Sequence, residues 1–248
     1  MTPRSEHSAY DACPLRAKPT EETAMKLYYH PISTTSRPVV LFAAESRIPL
    51  ELKVVDLFTG EHVKAPYSTL NPNKLIPTLE DGDFVLTENS AILKYLADKI
   101  DSPLYPKGLQ QRARVNERMD WFNTQLSRDY CFGLVFAQLL PHHKRRSDEA
   151  QAGTVQWGQE RSKVWLQVLN DHILGPGHNY VCGDAISIAD HFGAGLLTLG
   201  EVIGCDFTAY PYVQGWLARI KALKSWKSVN ATLDGVTAAH KGESFVTV

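Results

Sequence analysis

What this chain lacks narrows it before anything it contains. It has almost no net charge: 26 lysines and arginines stand against 27 aspartates and glutamates, a formal balance of −1. General nucleic-acid and membrane-surface binders concentrate positive charge, so both classes are disfavoured. No apolar run approaches the roughly 20 residues of a membrane span. The four cysteines (Cys13, Cys131, Cys182, Cys205) form no CxxC pair and no metal-ligand spacing. Free thiols in a reducing cytoplasm are therefore expected, with no bound metal. No G-x-S-x-G turn is present, which leaves a serine nucleophile without its usual setting. Repeats and low-complexity tracts are absent. Residues 1–24 are polar, hold three prolines and have no apolar core. They read as a disordered extension, not a secretory signal, and Met25 offers an alternative start.

The chain as a whole is ordinary in composition, at 44% hydrophobic and 21% charged residues, and its 248 residues are enough for one large or two small domains. Lys26 to Tyr29 is a short apolar strand ended by His30-Pro31. Ser36 is placed to cap a helix over Arg37 to Ser46, with Pro38 tolerated in its first turn. Leu50 to Val55 alternates as a second strand, and a polar connection to Asn71 holds a short helix near Ala65 to Leu70. A strand–helix–strand crossover implies parallel pairing.

The stretch Asn71 to Leu93 is the one around which the rest of the chain is organised. Pro77 precedes a short strand, where a residue without an N–H belongs. The Ile76-Pro77 bond is a candidate cis peptide, which would leave the N–H and C=O of Ile76 free to pair with an extended peptide. Asp81-Gly82-Asp83 is a turn signal, and Phe84 to Leu86 returns as a strand. Thr87, Glu88, Asn89 and Ser90 then open a helix from Ala91 to Ile100, whose start suits a carboxylate or phosphate. The plain alternative is an ordinary hairpin followed by a well-capped helix.

Ser102 to Gly108, with two prolines and a glycine, reads as a linker. No strand signal occurs after residue 101. Arg112 to Leu140 places Val115, Met119, Phe122 and Leu126 at helical spacing. Asp148 to Leu174, Ser187 to Ile203, Tyr210 to Ala222 and Trp226 to Leu233 continue the helical pattern. His142 to Arg146 is a solvated basic loop, and Ser187-Ile188-Ala189-Asp190 is a capping box. The layout predicted is residues 1–24 as extension, 25–102 as an α/β domain, 103–110 as linker, 111–240 as an all-helical domain and 241–248 as tail.

The run LYYHPISTTSRPVVLFAAE, followed by TGEHVKAPYSTLNPNKLIPTLEDGDFVLTENSAILKYLADK, resembles the N-terminal domain of cytosolic glutathione transferases. It is most similar to the serine-type theta and delta classes and their bacterial relatives. The likeness covers residues 25 to about 240, and S-x-x-S-R, G-E-H, N-P-x-x-x-I-P-T-L and L-T-E-N-S-A-I-L occur in order. It implies a thioredoxin-like first domain, an all-α second domain, a homodimer and a detoxifying transferase. By position, Ser33 would donate a hydrogen bond to the glutathione sulfur. His62 and Lys74 would serve the glycyl end, Ile76 would pair with the cysteinyl unit, and Pro77 would be the cis proline. Glu88 would hold the γ-glutamyl ammonium and residue 89 its carboxylate. The family usually has serine there, and this chain has Asn89. Tyr130 and Phe132 are candidates to line an apolar acceptor pocket, against the alternative that they are core. Arg112 and Arg114 are candidate glutathione or dimer contacts, with a solvated face as the alternative.

Glutathione is an anionic tripeptide that needs a backbone edge, an anion pocket, a cation and a donor to its sulfur, and the hairpin region offers each. Its thiol is mostly protonated at neutral pH, and lowering its pKa by about two units needs ~2.7 kcal/mol. A charge-assisted hydrogen bond contributes about 1.5–3 kcal/mol, so one serine with a helix dipole suffices. Tyr28 and Tyr29 are rival donors. A non-catalytic binding protein of the same fold, and a glutathione-dependent peroxidase or dehalogenase, are alternative functions. A cysteine-dependent thiol transferase is disfavoured because no cysteine follows the first strand, and a maleylacetoacetate isomerase because the S-S-C-S-W-R loop is absent.

Overall fold

The computed structural model describes residues 25–248, so the expected disordered extension, with Cys13, lies outside the described residues. Strand β1 (Met25–Tyr29) leads to α1 (Ser36–Ser46) and β2 (Leu50–Val54), then to α2 (Tyr67–Leu70), β3 (Thr78–Asp81), β4 (Phe84–Thr87) and α3 (Asn89–Lys99). The sheet order is β2-β1-β3-β4. β1 and β2 run parallel, with Tyr29 opposite Val54, because a helix joins them. β3 pairs antiparallel to β1 through Tyr28 and Thr78, and to β4 through Thr78 and Thr87. Gly82, at φ 60°, makes the turn between β3 and β4.

Leu27, Leu79, Val39, Phe42, Ile92, Leu93 and Leu96 fill the space between sheet and helices and are fully buried. Each contributes about 1.5–3 kcal/mol on leaving water. α1 begins one residue earlier than the sequence suggests, and Ser36 does not cap it. Thr35 occupies the cap position without a side-chain cap bond, and the Ser33 hydroxyl accepts the Ser36 N–H instead. α3 likewise begins at Asn89, two residues early.

Beyond the linker every element is helical. α4 (Leu109–Trp121) continues as a wider π-helical stretch, Phe122–Phe136, and closes with the turn Ala137–Leu139. α5 (Asp148–Val168) widens in the same way over Leu169–Leu174. α6 (Ile188–Leu197) tightens into a 3-10 turn, Thr198–Ile203. α7 (Pro211–Lys221) and α8 (Trp226–Ala239) complete the domain, α8 running six residues past the expected end. The capping box is present: Ser187 and Asp190 satisfy each other's helix-start groups, and Asp190 also accepts from Trp216 Nε1 at 2.9 Å. α4 and α5 cross where Gly133 meets Gly158, and a Cβ on Gly158 would come within 2.5 Å of the Gly133 backbone. The tail is pinned: Gln138 exchanges two hydrogen bonds with the backbone of Val246, and Gln159 donates to Thr247 O. Among the described residues no helix is long and apolar enough to cross a membrane.

The two domains meet along α1, which lies between α6 and α8. Gly195 lets α6 approach so closely that a Cβ there would stand 2.4 Å from Pro38 Cγ and 3.2 Å from Thr34 O. Arg37 crosses the junction fully buried, donating to Gly195 O at 2.9 Å, Thr198 Oγ1 at 3.3 Å and Asn230 Oδ1. Desolvation lowers its pKa to about 10, with Glu201 and Asp234 opposing.

Candidate functional site

The strand registers bring one set of loops to one end of the sheet. Tyr29 and Val54 end the parallel pair there, Thr78 begins β3 there, and Thr87 ends β4 opposite it. The loops that leave this end carry Ser33 after β1, His62 after β2, Ile76-Pro77 before β3 and Glu88-Asn89 after β4.

Ser33 is half-buried in the turn that links β1 to α1. Its N–H donates to His30 O at 2.9 Å. Its hydroxyl oxygen accepts the Ser36 N–H at 3.1 Å and stands 3.1 Å from Thr35 Oγ1. Thr35 in turn donates to the carbonyl of Ile76 at 3.0 Å. The Ile76-Pro77 bond is cis. Among the described residues nothing accepts the N–H of Ile76, as the sequence predicts. Its carbonyl is not free, however: the Thr35 hydroxyl already uses one of its two lone pairs.

Two residues without an assigned part hold this segment. Asn71, buried, donates to Leu75 O at 2.7 Å and to Thr78 Oγ1 at 3.1 Å. The Tyr67 hydroxyl reaches the same two groups. The only signal for Asn71 was its place at the head of N-P-x-x-x-I-P-T-L, and Tyr67 and Thr35 had none. Lys74 is exposed at φ 58°, and His62 is half-buried with its Nδ1 enclosed and without a partner among the described residues.

At the head of α3, Glu88 is exposed and sits at φ 67°, ψ 112°, a conformation that L side chains rarely adopt. It makes no side-chain cap bond, so capping does not explain it. Such backbone strain costs on the order of 1–3 kcal/mol and gathers at binding sites. Asn89 is 4% exposed, and both polar atoms of its amide are buried without a hydrogen-bond partner among the described residues. A helix N-terminus, a strained carboxylate and an unspent amide together suit a zwitterionic head group.

Other expectations fall away. Tyr28 donates to Glu80 Oε2 at 3.1 Å, within a contact shared with Lys26, and Tyr29 packs on the core. Tyr130 is no pocket wall: it has no exposed surface, and its hydroxyl donates to Leu197 O at 2.9 Å. Phe132 is 49% exposed but lies edge-on to Phe136 and His143, on the turn Pro141–His143. In that basic loop only His143, stacked on Phe136, is half-buried; His142, Lys144, Arg145 and Arg146 are exposed, as expected. Arg112 is committed to Asp98 and the Tyr105 ring, and Arg114 pairs with Glu117. A cavity of about 370 Å³ opens instead between the 3-10 turn after α6, the end of α8 and the tail.

A model of the family "Glutathione S-transferase, N-terminal domain" matches residues 32–99. Human glutathione S-transferase theta-1 is 36% identical over 203 residues, 80% of this chain and 82% of that protein. The chain belongs to the glutathione S-transferase family. Human theta-2 is 32% identical over 209 residues, covering 80% of this chain and 81% of its own length. Among solved structures, human glutathione transferase theta-2, in complex with glutathione and an unknown ligand, superposes with a TM-score of 0.77 at 29% identity, covering 91% of this chain and 94% of that one. Human transferase T1-1 in its apo form gives 0.74 at 32% identity, covering 87% and 91%. The theta-class likeness and the glutathione transferase fold stand together, and the protein is a transferase of that family.

Proposed function

We propose that this glutathione transferase binds glutathione along the Ile76-Pro77 edge and uses Ser33 to favour its thiolate, which then attacks a hydrophobic electrophile. The observation that carries the reading is the link at the sheet end: a half-buried serine hydroxyl joined through Thr35 to the residue whose N–H lacks an acceptor among the described residues. A cysteinyl backbone set against Ile76 lies one short relay from the Ser33 hydroxyl. Ser33 arrives polarised, because the Ser36 N–H already donates to its oxygen.

The other assignments follow the shape of glutathione. Glu88 takes the γ-glutamyl ammonium, and the Asn89 N–H and side-chain amide take the adjoining carboxylate. Lys74 and His62 serve the glycyl carboxylate. The 370 Å³ cavity, with Val202, Ile203 and Phe245 in its wall, is the proposed acceptor pocket. Glu201 and Asp234, two of its lining residues, also act electrostatically on Arg37, four residues after Ser33. A homodimer, typical of the family, is the proposed assembly.

Ser33→Ala tests the reading. Removing a charge-assisted donor worth about 1.5–3 kcal/mol lowers kcat/KM roughly 10- to 100-fold near neutral pH. Glutathione affinity, measured by calorimetry, changes little. An equal loss in affinity, or no loss of turnover, removes Ser33 from the chemistry.

A further inference from the structure

Thr35 stands two residues beyond Ser33, and the direction of each hydrogen bond around it can be worked out. A carbonyl oxygen only accepts, so Thr35 donates its single proton to Ile76 O. The 3.1 Å contact between Ser33 Oγ and Thr35 Oγ1 therefore runs from Ser33 to Thr35. Ser33 in turn accepts the Ser36 N–H. The result is a one-way relay from Ser36 N–H through Ser33 and Thr35 to Ile76 O. The proton that a thiolate needs is already committed inside the protein.

We infer that Thr35 is a positioning residue that holds the Ser33 proton until an ionised sulfur takes it. The inference rests on the proposed role of Ser33. A neutral thiol is a weak acceptor and does not draw the proton from a well-placed hydroxyl. A thiolate offers a charge-assisted bond roughly twice as strong as a neutral one, and it does. On ionisation the Ser33 O–H···O bond to Thr35 breaks and an O–H···S⁻ bond forms. The proton stays on Ser33, and Thr35 keeps its bond to Ile76. Every thiolate must thus displace Thr35, so this hydroxyl sets the pKa of the bound thiol higher than Ser33 alone would. It also points Ser33 toward the residue beside which the cysteinyl unit lies, instead of leaving its rotor free. The charged and titratable groups that act on the loop are His30 at its start, which feels Asp56 of the loop after β2, and Arg37 of α1, which feels Glu201 and Asp234 of the helical domain.

The experiment titrates the thiol of bound glutathione by its ultraviolet thiolate absorbance and records the pH profile of kcat/KM. The proteins are the wild type, Thr35→Val, Thr35→Ala, Thr35→Ser, Ser33→Ala and the Ser33→Ala/Thr35→Val double variant. Thr35→Val and Thr35→Ala lower the thiol pKa by roughly half a unit to one unit, the size of one neutral hydrogen bond. Thr35→Ser restores the wild-type value, and Thr35→Val adds nothing once Ser33 is alanine. Affinity for S-methylglutathione, which cannot ionise at sulfur, stays the same. An unchanged or raised pKa in both Thr35→Val and Thr35→Ala overturns the inference, as does a shift that persists without Ser33. If Ser33→Ala itself leaves the thiol pKa at the wild-type value, the proposed role of Ser33 fails and this inference with it. If Ser33→Ala raises the pKa while Thr35→Val does not lower it, only this inference fails.

Discussion

The two ends of the proposed glutathione site are built on opposite plans. At the sulfur end Ser33, Thr35 and the Ile76 carbonyl are satisfied by one another. At the glutamyl end Glu88 is held at a strained φ of 67° with no cap bond, and the buried Asn89 amide has no partner among the described residues. The first end can only exchange one hydrogen bond for another. Its gain depends on the charge of the arriving atom, so it discriminates thiolate from thiol. The second end starts with unspent donors and acceptors, so a ligand adds bonds outright. One end is therefore suited to reactivity and the other to affinity, and substitutions at the two should separate those properties.

The sharpest way to break this comparison is Glu88→Gln, the counterpart of Ser33→Ala. It keeps the shape and removes the charge. Because Glu88 is exposed, its pairing with an ammonium is screened. About a tenfold loss of glutathione affinity is expected, or ~1.4 kcal/mol. The thiol pKa and the thermal midpoint should hold, since the side chain caps nothing. A calorimetric titration that finds affinity intact, or a thiol pKa that moves with it, would dissolve the division between the two ends.

A smaller effect is expected from Asn89→Leu, which replaces the amide by an apolar group of the same branching. A buried polar group without a partner costs on the order of 1–3 kcal/mol, so ligand-free stability should rise by about 1 kcal/mol. Glutathione affinity should fall several-fold, because the amide is then missing where the carboxylate docks. Paired denaturation and binding curves decide it. A variant that loses stability, or that binds as well as the parent, means that the amide is not held for a ligand.

The sequence carried the local half of this picture. Pro77 at a strand start, the Asp81-Gly82-Asp83 turn, the Ser187–Asp190 box and the face through Val115, Met119, Phe122 and Leu126 all depend on residues close in the chain, and each is found in the structure. What it concealed depends on distant partners. Nothing local shows that Thr35 reaches Ile76, 41 positions on, or that Arg37 reaches Asn230, 193 positions on. Tyr130 failed as a pocket candidate for a different reason. Spacing along one helix says which residues share a face but not what covers that face, and here Leu197 at the end of α6 and Gly200 in the turn after it close over Tyr130. The family likeness supplied roles for Ser33 and Glu88, but it was silent on the hydroxyl that stands between Ser33 and the peptide edge.

The smallest expected effect concerns the platform beneath the sulfur end. His191 of α6 is 1% exposed and lies edge-on to Phe42 of α1, with ring centres 5.7 Å apart. Its Nδ1 faces Ser187 O at 3.1 Å and so carries the proton, while Nε2 has no partner among the described residues. Burial is the main influence and pushes its pKa below 6.5; the Ser187 carbonyl and Asp190 oppose this. A base whose folded pKa is lowered gives stability that is fully present above the unfolded value and is lost as pH falls below it. His30, half-buried at the β1 end, shifts in the same direction. The thermal midpoint should therefore drop between about pH 7.5 and about pH 5.5, the range that spans the ordinary histidine pKa. In His191→Gln the midpoint should be lower at neutral pH but flatter, and the two curves should converge toward acid. Parallel curves would show that the His191 imidazole takes up its proton as readily in the folded chain as in the unfolded one. The α1–α6 contact under Ser33 would then carry no more pH dependence than the head of α3, and on this point the two ends of the site would be alike.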